Sequence, residues 1–319
     1  MTEIIDYGRF RERLEGQRPA GEPGMAATGP RWELLREFQE QWGYTPTGGE
    51  RREREAPDPH REYPAGLKAE HSDGPEDDRP ESVDPRVPVP AALYEWWNLP
   101  FNSFADRSEL YETNPEWPPT VRPDPGGYGA SDGLPSDNPF TEPHEDPRVC
   151  VFMAENQYCN EWGYPAARAH LADPPVLVSA MDDDGEEGWI RQAHSVSEFF
   201  LLLAVVRLLP HYGWTVEDDE PGAGLLARVK EKLTPLGFEP WREMTCRSEY
   251  YGGLDVIVCH DPQSDYLREL TVYGRSREAL ERLAETLGAD WSEDIREPES
   301  HSSPRPPEVT CRPNGSPGN

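Results

Sequence analysis

Residues Val149–Leu209 decide the fold of this 319-residue chain: VCVFMAENQYCNEWGYP at 149–165, DPPVLVSAMDDDGEEGWI at 173–190 and SVSEFFLLLAVVRLL at 195–209. Val149–Met153 is a short apolar run, and it predicts a buried strand. The polar residues Glu155, Asn156 and Gln157 end that run. At such a position side chains hydrogen-bond nearby backbone and fix a turn. Val176–Ser179 and Trp189–Ala193 are further strands, and the acidic stretch Asp182–Gly188 between them predicts a hairpin. Ser195 and Glu198 form the S-x-x-E pattern of a helix start, where the hydroxyl satisfies an orphan amide. The helix predicted over Ser195–Leu209 is apolar nearly all round, so it should be central and buried. Trp189 and Phe199 are accordingly read as core.

Working outward, RWELLREFQEQW (Arg31–Trp42) places Trp32, Leu35, Phe38 and Trp42 on one helical face. Such a stripe is read as packing surface. VPVPAALYEWWNL (Val87–Leu99) predicts a second helix with Leu93, Trp96 and Trp97 on its apolar face. Downstream, Gly224–Leu233 predicts an amphipathic helix. Cys246–Tyr251, Leu254–Cys259 and Leu267–Tyr273 are rich in β-branched and aromatic residues and read as strands. Ser276 caps a last helix, REALERLAETL, which Gly288 closes. The expected class is α+β: a mixed, mostly antiparallel sheet packed by helices in one domain. That domain is expected over 30–291, with its dense core at 149–291. Residues 1–29 are expected to be poorly ordered, 45–84 a flexible acidic Pro-rich segment, 104–147 a long Pro-rich loop, and 292–319 a disordered tail. Nine prolines fall between Pro115 and Pro147.

Composition narrows the function. The chain carries 61 acidic against 31 basic residues, a net charge of −30, and only 35% hydrophobic residues with 36 prolines. Such a charge repels nucleic-acid phosphate and anionic membrane, and it favours encounter with a basic protein. The five cysteines are odd in number and form no C-x-x-C pair, which suits reduced thiols. MTEIIDYGRF lacks the basic and apolar regions of a secretion signal. The apolar run Phe199–Leu209 is too short to span a bilayer. These features predict a soluble cytoplasmic protein, and a monomer is favoured.

No constellation of catalytic residues emerges. Cys259 and His260 are adjacent on a strand, so their side chains point to opposite faces and cannot form a nucleophile–base pair. Glu155 and Glu161 could be paired acids, but no substrate-binding signal accompanies them. Ser195 lacks a G-x-S-x-G setting. The eight histidines show no metal-ligand spacing, and 182–187 lacks the spaced ligands of a calcium loop. The chain therefore reads as a non-enzyme with no cofactor and no metal. The acidic turn residues Asp182, Asp183, Asp184, Glu186 and Glu187 are the candidate partner-binding site. A solvated hairpin tip is the alternative reading of the same residues.

The collinear set of motifs resembles the SUKH superfamily, which includes fungal cell-wall-assembly regulators of the Smi/Knr type and many bacterial immunity proteins. The residues that carry the likeness are FMAENQ (Phe152–Gln157), Trp162-Gly163, Asp173-Pro174-Pro175-Val176, Trp189, and Ser195, Ser197 and Phe199 leading into Leu201–Leu209. WELLREFQEQW resembles the family's first helix. VPVPAALYEWWNL resembles its LP-x-x-L-x-x-W/Y helix, with Val89 in place of the usual Leu. The segment 274–287 resembles its terminal strand–helix unit. Residues 45–84 and 104–147 depart from the pattern by their length. The resemblance implies a non-enzymatic binding protein. Bacterial relatives neutralise a toxin delivered by a neighbouring cell by binding it directly. A cognate toxin, and a basic nuclease in particular, is the partner implied. The alternative is a regulatory scaffold or ligand-binding protein of the cell-wall-regulator type.

Overall fold

In a computed structural model of the chain, the described residues are 3–17, 31–44, 84, 86–97, 99, 113–123, 133–155, 157–182, 186–244, 246–262 and 269–298. Residues 18–30, nearly all of the acidic segment 45–84, and 299–319 lie outside them. So do Asn156, Asp183 and Asp184.

The first sheet is a five-stranded meander: β1 (Thr113–Arg122), β2 (Val149–Glu155), β3 (Glu161–Pro165), β4 (Val176–Met181) and β5 (Glu187–Ala193), paired in that order. The second contains β6 (Trp214–Asp218), β7 (Thr234–Pro235), β9 (Cys246–Gly253), β10 (Val256–His260) and β11 (Leu270–Gly274), in the order β6-β11-β10-β9-β7. The short β8 (Trp241–Glu243) pairs with β9 off that path. Among the described residues the α-helices are α1 (Phe10–Gln17), α2 (Glu33–Gln41), α3 (Ala91–Trp97), α4 (Val196–Tyr212), α5 (Ala223–Lys232) and α6 (Arg277–Leu287). The α+β class stands. Two sheets replace the single sheet expected, and every pairing between described strands is antiparallel rather than mixed.

The period of two along β2 explains the layers. Cys150 and Phe152 join the core around α4, while Val149 and Val151 join a smaller cluster with Leu134, Leu177 and Trp189 on the other face. β10 behaves alike: Ile257 faces the α4 core, and Val256 and Val258 face a cluster built with α5 and α6. One hydrophobic cluster thus joins α4 to a face of each sheet. A helix between two sheets must be apolar nearly all round, as its sequence is. Ser195 accepts from Glu198 N at 3.1 Å and starts it. It ends at Tyr212, beyond the expected Leu209, with Pro210 inside its last turn and the Gly213 N–H on Leu209 O. α2 and α3 pack on this helix. Trp96 stacks on Phe200 with ring centroids 3.9 Å apart.

Three expectations of disorder need correction. Residues 3–17, within the expected disordered 1–29, fold: Tyr7, Phe10 and Leu14 are buried in the main core, and Asp6 bridges Leu254. Gly252 is glycine because a Cβ there would lie 2.3 Å from Tyr7 O. Inside the expected loop 104–147, residues 113–122 form β1. Three prolines sit in this strand, and they are tolerated because β1 is an edge strand whose register shifts between Pro115 and Thr120. Residues 133–147 also pack, with Leu134 and Phe140 against the outer cluster. Finally, Arg296 bridges Thr215, so order extends past 291.

Candidate protein-binding surface

The antiparallel meander brings three turns to one end of the molecule. β2 finishes there at Glu155, β3 begins at Glu161, and β4 and β5 meet there through the hairpin 182–186. The register Trp162↔Val178 and Met181↔Glu187 fixes this arrangement. The third turn, between β8 and β9, is tied on by side chains. Asn160 donates from Nδ2 to Ser179 O at 2.7 Å and accepts from Met244 N through Oδ1 at 2.5 Å. Ser179 Oγ accepts from Glu161 N at 2.9 Å. Arg242 Nη1 donates to Met181 O at 3.4 Å.

Beneath these turns the platform is held by buried side chains. Glu155 is buried and accepts from Gln157 N at 2.9 Å and Cys159 N at 3.3 Å, which closes the β2–β3 turn. This is the turn-fixing role expected of Glu155; the Gln157 side chain is exposed. Glu161 is 2% exposed and holds Arg122 of β1 through paired contacts of 3.0 and 2.5 Å. Glu155 and Glu161 therefore serve structure rather than acid–base chemistry. Trp162 stacks on Trp241 at 5.2 Å, which joins β3 to β8. Gly163 has no room for a side chain, since a Cβ would lie 2.6 Å from Cys150 O. The Gln192 carboxamide donates to Pro240 O and accepts from Arg242 N, linking β5 to the same segment.

The acidic residues stand at the exposed rim of this platform. Asp182 N donates to Glu186 O at 2.9 Å, and Asp182 Oδ1 accepts from Glu186 N at 3.0 Å. The hairpin is closed by its own first residue, while Asp182, Glu186 and Glu187 remain exposed. The other motif residues lie elsewhere. Asp173 and Ser195 sit at the opposite end of the sheet, at the start of α4. Asp173 accepts from Ser197 N at 3.0 Å and Ser197 Oγ at 2.6 Å, and burial raises its carboxyl above the usual range. Pro174 and Pro175 lead from that cap into β4. Trp189 and Phe199 are buried in the outer and main clusters respectively, as expected.

The remaining candidates for chemistry resolve into structural roles. Burial pushes the Cys259 thiol up to about 12, which suppresses the thiolate at neutral pH. His260 lies 4.0 Å from Glu249 and 3.9 Å from Glu269, and burial lowers its affinity for a proton. Among the described residues no group of three or more His, Cys, Asp or Glu is placed to hold a metal ion. A cleft of about 440 Å³ lies between β6, α5 and residues 289–296. Its carboxylates include Asp218, which accepts from Glu220 N, and Asp290, which accepts from Ser292. Arg296 pairs with Glu217 there, so the cleft wall is built of turn caps and ion pairs.

The sequence does not single out Asn160, which ties the turns together. Asn160 follows the motif that drew attention, but its partners are 19 and 84 residues away, a separation that no local pattern reveals. Comparison with family models, with curated proteins and with solved structures returns no match. No described helix is long and apolar enough to cross a membrane.

Proposed function

We propose that this chain is a non-enzymatic, cytoplasmic binding protein of the immunity type, which neutralises a basic toxin, such as a nuclease, by direct contact. One observation carries the reading: Asp182, Glu186 and Glu187 stand exposed at the joined ends of β4 and β5, on a platform whose buried polar residues are spent on holding turns. Strand ends joined by the Asp182–Glu186 hydrogen bonds hold these three charges in place and reduce the ordering cost on binding. The net charge of −30 extends the same field over the molecule and speeds encounter with a basic partner. The SUKH resemblance supplies the biological class, and the order α2, α3, β2–β5, α4 is the order in which its motifs occur.

Co-expression with a toxin domain, where one is encoded beside the gene, tests this. Cells carrying both should survive, the two proteins should co-elute, and association should slow about tenfold or more between 50 and 500 mM NaCl as screening rises, both concentrations being round experimental choices of about that size. Unchanged killing with no complex would refute the immunity reading. Binding insensitive to salt would remove the basic-partner part of it.

A further inference from the structure

Five large apolar side chains are exposed among the described residues, and three of them stand at the three-turn end: Tyr158 at 48%, Met181 at 58% and Met244 at 50%. A single exposed apolar residue is ordinary. These three occupy adjoining turns, tied together through Asn160, Ser179 and Arg242. Two of them also sit in a conformation that side chains disfavour. Tyr158 has φ 61° and Met244 has φ 54°, the left-handed region where Gly or Asn is the natural occupant. Neither side chain joins a hydrophobic core. Strained residues that persist at a surface point to function.

We propose that Tyr158, Met181 and Met244 are the apolar centre, and Asp182, Glu186 and Glu187 the acidic rim, of a docking surface for a basic protein. The proposal rests on the binding reading above and locates its interface. Aromatic residues and Met are enriched at interface centres, and charged residues belong at the rim. Charge selects the occupant. The stretch 182–187 carries five acids, with Asp182, Glu186 and Glu187 exposed, while the nearby Arg242 is engaged with Met181 O and Arg207 with Glu243. A second copy of this chain would bring the same acids against them, and nucleic acid would bring phosphate. A basic protein face with a protruding apolar side chain complements both the rim and the centre.

The test uses the full-length chain against the catalytically inactive toxin domain, with association and dissociation rates measured by interferometry. Tyr158→Asn and Met244→Asn keep a residue that tolerates the left-handed turn, and Met181→Ala truncates the third side chain. Each should speed dissociation about tenfold, the scale of a hot-spot residue, while Tm stays level or rises. The triple variant Asp182→Asn, Glu186→Gln, Glu187→Gln should instead slow association and flatten its salt dependence. If the parent binds and the apolar variants bind within about twofold of it, well below the hot-spot scale, the interface lies elsewhere and the binding reading survives. A fall in Tm matching the loss of binding would assign these side chains to the fold and overturn the proposal. Absence of any complex with the parent would overturn the binding reading and the docking surface together.

Discussion

At the residue scale, the polar side chains of this region hold turns, a helix start and a buried ion pair. Glu155 closes the β2–β3 turn, Glu161 neutralises Arg122, Asp173 and Ser195 start α4, and Asn160 ties two turns together. Local roles such as the Ser195 cap were legible, because capping follows from spacing alone. Roles that depend on distant partners were not. Asp173 permits a pH test. Burial raises its carboxyl in the folded state, so the folded protein favours the protonated form. That contribution is fully present below the unfolded pKa and is lost as pH rises through the folded one. At neutral pH the buried carboxylate is therefore a cost, partly offset by its two hydrogen bonds from Ser197. Asp173→Asn keeps a cap and removes the titration. Urea unfolding should place it within about 1 kcal/mol of the parent at neutral pH, the scale of a cap exchange, with the comparison turning towards the parent as pH falls through the carboxylate range. A large loss of stability at neutral pH would show that the charge itself is needed at the α4 start.

At the element scale, strong local signals were read correctly and weak ones were not. α2, α4, α5, α6 and the strands β2, β4, β5, β9, β10 and β11 all fall where periodicity placed them, within a few residues. β1 was invisible because its prolines argue against a strand, and only its edge position makes them acceptable. β3 was hidden because EWGYP is short and has no alternation. The N-terminal helix α1 was missed because its apolar residues are sparse among charges, so the segment resembles a tail in composition. The burial of Phe10 and Leu14 makes the opposite prediction from a tail. Phe10→Ala or Leu14→Ala should lower unfolding free energy by about 2–5 kcal/mol, the range for truncating a buried side chain. Denaturant titration checks this, and a loss near zero would return the segment to a dispensable tail.

At the scale of the whole molecule, two antiparallel sheets share one apolar helix, and the end of the first sheet carries the acidic hairpin and the exposed apolar trio. The sequence announced the charge but not its companions, since Tyr158, Met181 and Met244 are brought to one end by the register of β2, β3 and β4 and by the Asn160 link. Hydrogen exchange on the complex with the co-expressed toxin domain tests the account most directly. Binding should protect amides in residues 157–160, 181–187 and 242–246 while the Asp173–Ser195 end exchanges as in the free chain. Protection confined to the cleft at residues 217–219 and 289–296, or no complex to measure, would contradict it.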